Sequence, residues 1–271
     1  MKLSVVVPVR NERDTVLTLL ERLRAVACGI PKEIIVVDGA STDGTREALL
    51  GLPPEPQVVL VLEEEARGRG RAVRTGFERA TGDIVMVQDA DLELDPAQIP
   101  ALLRPLMEGG SQVVFGSRFK RGRAGAPLVN YLGNRALTWL VNVLFRAHLT
   151  DVLTCYKVLR ADVARALDLR CEGFDLDGEI TCRLLGHSHQ IVELPVTYNA
   201  RTVSEGKKLS ARDGYSIARA ILRVRFSGSP APSGSVATST TRSPASSAQA
   251  SPARRELTPE RRPGDRHAGL R

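Results

Sequence analysis

Short apolar runs alternate with amphipathic segments along most of the chain. The runs cover residues 3–7, 33–37, 57–62, 83–87 and 112–115. After the first run, apolar residues recur at the spacing of one helix face: Val16, Leu19, Leu20 and Leu23. This alternation predicts βαβ units and therefore an α/β fold with a doubly wound, mostly parallel sheet flanked by helices.

Further helices and one strand complete the pattern. Asn11 is the expected cap of the first helix, and Asp95 the expected cap of a helix that begins at Pro96. We also predict helices around residues 72–80, 128–146 and 212–226, and a strand at 191–196.

Composition divides the chain into a folded part and a tail. Residues 228–271 are rich in Ser, Pro, Ala, Thr and Arg and have few large apolar side chains. Such a segment buries too little surface to offset its ordering entropy, so we predict one domain over 1–227 and a disordered tail over 228–271. The tail holds seven Arg and three acids, or +4 of the net +7. A high pI concentrated in a tail, with only 4% aromatics, argues against a nucleic-acid binder.

Three features of the sequence bear on where the protein is located: its first residues, its longest apolar stretches and its cysteines. The first residues run straight into a strand, so we expect no signal peptide. No apolar stretch approaches the roughly 18 residues of a membrane span. The four cysteines are scattered and we expect them to be reduced, as in a cytoplasmic protein.

Acidic residues follow the predicted strands, at the edge where parallel sheets bind ligands. Asp38 and Glu63 each come directly after an apolar run, and Asp89 follows the run at 83–87 after one intervening residue. Asp89 and Asp91 alternate along an extended segment, so both carboxylates can face one point. Two carboxylates beside a diphosphate suit Mg²⁺ or Mn²⁺, although solvated loop acids are the alternative.

A loop with the sequence Arg-Gly-Arg-Gly-Arg, residues 67–71, precedes the helix around 72–80. Its glycines allow close backbone approach, and its arginines can contact a phosphate or a base. A flexible, solvated loop explains the same residues equally well.

Several ordered motifs resemble family 2 glycosyltransferases, which have the GT-A fold. They are residues 6–12, 36–45, 68–70, 81–83, 88–92 and 116–119. Further segments resemble the polyprenyl-phosphate sugar synthase branch of that family: 150–157, 174–179 and 205–208. The resemblance implies an inverting, metal-dependent transfer of a hexose from GDP- or UDP-hexose to a polyprenyl phosphate.

The same resemblance assigns roles to individual residues. The donor would be held by Pro8, Asn11, Glu12, Asp38, Gly68 and Asp89, and the metal by Asp89, Asp91 and Glu93. Arg118 would face the acceptor phosphate or the donor diphosphate. Two positions depart from the family pattern: Gly39 replaces a second Asp, which leaves the choice of base open, and Glu93 replaces a Gln.

The acceptor determines whether a base is needed. A phosphate monoester is largely dianionic at pH 7 and needs none, whereas a hydroxyl acceptor must lose its proton to a carboxylate. Candidate bases are Asp151, Asp175, Asp177 and Glu179, with helix capping or ion pairing as the alternative. A soluble enzyme that acts on a cytosolic hydroxyl is the second reading of the function.

Two helices suit a membrane interface. In 128–146 a polar stripe recurs every four residues on an otherwise apolar helix: Asn130, Asn134, Thr138, Asn142 and Arg146. In 212–226 the arginines 212, 219 and 223 share one face. Both patterns predict peripheral association with the inner face of the membrane, unless the apolar faces pack on the domain. Arg201, Lys207 and Lys208 are candidates for clamping a lipid phosphate, with a solvated basic loop as the alternative.

Overall fold

The computed structural model describes residues 1–123, 125–201 and 211–227. Lys207, Lys208 and the predicted disordered tail, 228–271, lie outside these ranges. Seven strands form one sheet: β1 (Leu3–Val9), β2 (Lys32–Asp38), β3 (Val58–Leu62), β4 (Ile84–Val87), β5 (Val113–Ser117), β6 (Lys157–Arg160) and β7 (Val192–Pro195).

The strand order is β3-β2-β1-β4-β6-β5-β7. Strand β6 runs antiparallel to both of its neighbours, and the other pairs are parallel. The carboxyl ends of β1, β2, β3 and β4 therefore open at one edge of the sheet. At this edge Val9 pairs with Asp38, and Asp38 with Leu62.

Within the described residues, eight helices accompany the sheet: α1 (Arg13–Ala25), α2 (Thr45–Leu50), α3 (Arg69–Arg79), α4 (Ile99–Met107), α5 (Leu128–Phe145), α6 (Ala161–Ala166), α7 (Leu176–Gly186) and α8 (Ala211–Phe226). Helices α1 and α4 cover one face of the sheet, where they bury alternate residues of β1 such as Val5 and Val7. On the other face Ala72 of α3 packs on Val6, and α3, α6 and α7 share a second cluster. The predicted doubly wound α/β fold is confirmed.

The sequence pattern missed four elements, and one predicted cap is wrong. Strand β6 and helices α2, α6 and α7 were not predicted; the two helices α2 and α6 have only six residues each. The position that caps α1 is Glu12, which makes no side-chain capping bond. Asn11 instead adopts a left-handed backbone, and its side chain accepts from the Thr42 N–H. The predicted cap Asp95 does accept from the Ala97 N–H, at a short 3-10 turn that precedes α4.

Helix α5 turns its polar stripe inward and much of its apolar surface outward. Asn134 and Thr138 are buried, and Asn142 bonds both the N–H and the carbonyl of Leu149. The large apolar side chains left exposed are Leu128, Val129, Leu132, Trp139 and Val143. On α8 the alternative prediction holds for Ile217 and Ile221, which are buried against the domain.

Candidate active site

The loops after β1 and β2 are joined by Asn11. Its Oδ1 accepts from the Thr42 N–H at 2.8 Å, and its own N–H donates to Ser41 Oγ at 2.9 Å. Pro8, which precedes this loop, lies buried within β1. Glu12 is largely buried and pairs with Arg201 at 3.0 Å. The predicted donor residues of the first motif therefore lie at the carboxyl edge, and Arg201 is already held there by an acid.

Asp38 ends β2 and is fully buried. Its Oδ2 accepts from Arg46 Nε at 2.6 Å, while its Oδ1 has no hydrogen-bond partner among the described residues. Glu63 Oε2, at the end of the neighbouring strand, is a second buried oxygen without such a partner. Because unpaired buried acceptors are costly, both oxygens are poised to receive donors that the protein does not supply.

The close backbone approach expected of Gly68 is made to another segment of the protein. Its φ is +108°, and a Cβ built at this position would lie 2.4 Å from the Glu172 carbonyl oxygen. A Cβ at Gly70 would lie 2.7 Å from the Gly173 carbonyl oxygen. The glycines predicted to admit a ligand thus let the start of α3 dock on the segment before α7. This contact fixes the position of Arg69.

Three acids crowd the end of β4. The Glu93 N–H donates to Asp91 Oδ1 at 3.1 Å, and the second oxygen of Asp91 has no partner among the described residues. Burial, together with the nearby charges of Asp89 and Glu93, raises the pKa of Asp91 to about 7. The negative charge of Asp91 is therefore disfavoured at this position.

Glu93 is tied to the segment that follows β7. One of its carboxylate oxygens accepts from the Tyr198 hydroxyl at 3.0 Å, and the other accepts from the Arg201 N–H at 2.9 Å. Its backbone carbonyl also accepts from the Asn199 N–H. Its predicted role as a metal ligand stays a prediction.

The donor set fits a divalent cation that is completed by a ligand. Asp89 and Asp91 offer hard oxygen atoms, and Asp91 is buried beside the charges of Asp89 and Glu93, which a cation would offset. Within the described residues, no three acids, histidines or cysteines are gathered as a metal cage. A cation bound there would complete its coordination with water or with the oxygen atoms of a diphosphate.

Arg118 is fixed by Asp151 in a two-pronged ion pair. Its Nε and Nη2 donate to the two oxygens of Asp151 at 2.7 and 2.9 Å. Asp151 also accepts from the Arg118 N–H and from Asn134 Nδ2. Glu193 supports the same turn, because it accepts from the N–H groups of Thr150 and Asp151.

Asp151, the first candidate base, is engaged by neighbouring donors on both of its oxygens. Its side chain is fully buried, and its two oxygens already accept four hydrogen bonds. Burial alone would raise its pKa, but the charge and hydrogen bonds of Arg118 outweigh that effect and lower it. Asp151 therefore positions Arg118, and its role as a base stays a prediction.

Two other candidate bases are also engaged. Asp177 pairs with Arg69 and with Lys157. Glu179 is buried and accepts from the N–H groups of Arg170 and Cys171 as well as from Arg183. The alternative role that the sequence allowed, ion pairing, is the one that the structure gives to both acids.

The sequence did not single out four residues that the structure brings to this site: Arg69, Lys157, Tyr198 and Glu193. Arg69 and Lys157 lie inside segments that resemble the family, 68–70 and 150–157, so the sequence does carry a signal for both. No sequence pattern tells which arginine of a basic loop will turn inward, because that depends on how α3 docks on the segment before α7.

Strained backbone marks three of the loops at this edge. Asn11, Ala40 and Leu92 have φ angles of 52°, 57° and 61°, in the left-handed region that non-glycine residues rarely adopt. They follow β1, β2 and β4. Strain of this kind persists where surrounding contacts fix a functional geometry.

Residues 4–166 match the sequence profile of Glycosyl transferase family 2. The chain belongs to glycosyltransferase family 2. Among its family 2 relatives is a dolichol-phosphate mannosyltransferase of Pyrococcus furiosus, 30% identical over 76% of this chain and 59% of that protein. Another is an undecaprenyl-phosphate mannosyltransferase of Micrococcus luteus, 30% identical over 76% of this chain and 87% of that protein. The chain thus spans little more than half the length of the archaeal relative.

The fold of this family 2 chain also matches solved structures. Glucosyl-3-phosphoglycerate synthase of Mycobacterium tuberculosis superposes with a TM-score of 0.63 at 21% identity, over 83% of this chain and 80% of that one. That synthase has been crystallised with Mn²⁺, UDP-glucose and phosphoglyceric acid. The likeness confirms the predicted GT-A fold.

Proposed function

We propose that this chain transfers a hexose from a nucleotide-sugar to a polyprenyl phosphate at a membrane surface, with a divalent metal and with inversion. The observation that carries the proposal is the pairing of an acid cluster, Asp89 and Asp91, with a fixed arginine, Arg118, at one edge of a family 2 fold. The names of the mannosyltransferase relatives support the lipid acceptor.

The donor would lie across the carboxyl edge. The buried, unpartnered Oδ1 of Asp38 can accept a base N–H, which both guanine and uracil carry. Asp89 and Asp91 would hold Mg²⁺ or Mn²⁺ against the diphosphate. When bound, the metal supplies charge that stabilises the departing diphosphate.

The reaction then needs little proton chemistry. An oxygen of the acceptor phosphate forms a bond to the anomeric carbon, while the bond from that carbon to the diphosphate breaks and the diphosphate leaves with the electron pair. Arg118, held in a fork by Asp151, can bond two phosphate oxygens at the rim of its ion pair. A phosphate acceptor is supported by the engagement of three of the four candidate bases, Asp151, Asp177 and Glu179, in ion pairs, because a hydroxyl acceptor would require a free base. The fourth candidate, Asp175, accepts from the Gly173 N–H.

The membrane contact would come from α5. Its exposed apolar side chains include Val129 at 82% and Trp139 at 66% exposure. On α8 nearby, Phe226 is 74% exposed. Tryptophan is favoured at the boundary between headgroups and acyl chains, and an amphipathic helix lies in that plane. Among the described residues, no helix is long and apolar enough to cross a bilayer.

One experiment tests the chemistry. Purified protein is incubated with labelled GDP- and UDP-hexoses and polyprenyl phosphate, with and without excess EDTA. We expect a lipid-linked sugar with one donor and its loss in EDTA. Full transfer in EDTA would overturn the proposed metal dependence. Transfer only to a soluble hydroxyl acceptor would favour the alternative function, a soluble enzyme.

A second experiment tests the surface. We expect the protein to sediment with phospholipid vesicles and the Trp139→Ser variant to bind them several-fold more weakly. The matched control is Leu62→Ser, a half-exposed apolar residue at the end of edge strand β3. Equal loss in both variants would mean that α5 has no special role.

A further inference from the structure

Arg69 joins two acids, Asp89 after β4 and Asp177 in α7. Its Nε and Nη2 donate to the two oxygens of Asp89 at 2.7 and 3.3 Å. Its third nitrogen, Nη1, donates to Asp177 Oδ2 at 2.9 Å. Its side chain is only 11% exposed, so these bonds form largely out of water.

Asp177 is in turn held from behind. Its Oδ1 accepts from Lys157 Nζ at 3.1 Å. Lys157 is 1% exposed, and it also donates to the carbonyl groups of Val152 and Thr154. Lys157, Asp177, Arg69 and Asp89 therefore form a row of alternating charges that ends at the acid cluster.

This row conflicts with the role proposed for Asp89. Both oxygens of Asp89 bond the guanidinium, so a divalent cation would have to compete for the same acceptors. Two positive groups at one carboxylate also repel each other. Asp177 resolves the conflict, because it gives Arg69 a second carboxylate that no metal needs.

We propose that Arg69 is an exchangeable internal counter-ion of Asp89. It neutralises Asp89 until the metal and donor arrive, and then releases Asp89 while Asp177 retains it. The nitrogens that are released face the incoming diphosphate, which they can bond. The inference rests on the proposed function, since it concerns the same acid cluster.

The chemistry of the side chain suits this task. Arginine carries five N–H donors in a rigid fork, so one guanidinium can serve two carboxylates at once and lose one without losing both. The close docking of Gly68 and Gly70 fixes the start of α3, so the exchange requires a rotation of the side chain and no movement of the helix.

The test measures binding of Mn²⁺ alone, by electron paramagnetic resonance of free Mn²⁺ and by calorimetry, in the full chain without nucleotide. Arg69→Met removes the competitor, so we expect Mn²⁺ to bind more tightly, on the order of tenfold, which is the effect of one nearby charge on a divalent ion. In Asp177→Asn, Asp89 is the one charged partner that Arg69 keeps of these two acids. The guanidinium should then leave Asp89 less readily, so we expect Mn²⁺ to bind several-fold more weakly. In the presence of a nucleoside diphosphate, Arg69→Met should weaken nucleotide binding.

The matched control is Arg74→Met, on the same helix. Arg74 donates to the carbonyl of Arg170 and does not contact the acid cluster, so we expect its removal to change Mn²⁺ affinity by less than about twofold. Thermal unfolding of each variant checks the fold. If Arg69→Met does not fold, Arg69→Lys replaces it, with Mn²⁺ affinity expected above that of the unaltered chain, since one ammonium holds Asp89 less firmly.

The outcomes separate the two proposals. The counter-ion proposal is overturned if a folded Arg69→Met protein binds Mn²⁺ as well as the unaltered chain or more weakly. If the unaltered chain still binds Mn²⁺ with nucleotide, the proposed function stands. Failure of the unaltered chain to bind Mn²⁺ even with nucleotide overturns both.

Discussion

Carboxylates at the two edges of the sheet have pKa values that are shifted in opposite directions. At the amino edge, Glu33 accepts from Ser4 Oγ, from the Thr81 N–H and hydroxyl, and from Lys2 Nζ at 2.7 Å. Burial would raise its pKa, but these hydrogen bonds outweigh that effect and lower the pKa to about 2. At the carboxyl edge, burial and like charges raise the pKa of Asp91 to about 7.

The difference separates a structural acid from functional ones. Glu33 connects the amino ends of three neighbouring strands, β1, β2 and β4. All of its hydrogen-bond donors come from the protein. Asp38 and Glu63 each keep a buried oxygen without a partner among the described residues, and Asp91 lies beside two further acids. Unsatisfied acceptors and like-charge repulsion destabilise the folded state, so their concentration at one edge indicates where a ligand binds.

The largest expected effect is at Asp91. Replacing Asp91 with Asn should reduce turnover by roughly 10²-fold or more, because metal stabilisation of the leaving group amounts to several kcal/mol. The melting temperature should stay the same or rise, because the change removes a charge that its neighbours disfavour. Initial rates at saturating Mn²⁺ and thermal unfolding measure the two effects.

Asp162→Asn is the control for this change. Asp162 is 61% exposed and pairs with Arg160 on the surface, so its loss should leave turnover unchanged. A marked fall in the melting temperature of Asp91→Asn would contradict the comparison, because it would make Asp91 a structural acid like Glu33.

Much of the fold could be predicted from the sequence, because the apolar runs of β1, β2 and β4 are continuous and buried on both faces. Strand β6 was missed for a physical reason. It is only four residues long and antiparallel, and its first residue is Lys157, whose charge is compensated by Asp177 some twenty positions away. A local sequence pattern does not indicate an ion-pair partner so far along the chain.

The positions of the site residues could be predicted better than their partners. Asp38, Asp89, Asp91 and Arg118 all lie at the carboxyl edge, as strand ends require. The ion pair of Arg118 with Asp151 spans 33 residues, and that of Arg69 with Asp177 spans 108. Such pairs depend on how the loops dock, so the sequence alone does not show that Arg118 engages Asp151 or that Arg69 turns inward.

The next effect in size is on stability at the opposite edge. Glu33→Gln should lower the free energy of unfolding at pH 7 by about 3 kcal/mol, because the pKa of Glu33 falls from 4.5 to about 2 on folding and each unit corresponds to roughly 1.4 kcal/mol. Turnover per folded molecule should not change. Denaturant unfolding measures the loss, and Glu47→Gln, on the exposed face of α2, should cost less than about 0.5 kcal/mol.

The sign of the pH dependence follows from the same shift. The pKa of Glu33 is lower in the folded state than its ordinary value of 4.5, so its stabilisation is complete above that value and is lost as pH falls toward 2. The difference between the unaltered chain and Glu33→Gln should therefore narrow between pH 4.5 and 2. A constant difference over that range would mean that packing, and not ionisation, accounts for the effect.

The smallest effect concerns Tyr198, which connects the acid cluster to the arginine. Its hydroxyl donates to Glu93 Oε2, and the Arg118 guanidinium lies 5.3 Å from the centre of its ring. Tyr198→Phe removes the hydroxyl and keeps the ring, so we expect a loss of about 1 kcal/mol in stability and a change of only a few-fold in turnover. Tyr198→Ala should cost more turnover, because it also removes the surface beneath Arg118.

Mn²⁺ binding to Tyr198→Phe decides what Glu93 does. The Arg201 N–H still holds the other oxygen of Glu93 in this variant, so we expect the carboxylate to stay in place and Mn²⁺ affinity to change by less than about twofold. Glu93 would then be an anchor for the segment after β7, and its charge would act on the cluster only from a distance. Clearly tighter Mn²⁺ binding would mean that the released oxygen reaches the cation, which is the ligand role that the sequence predicts for Glu93.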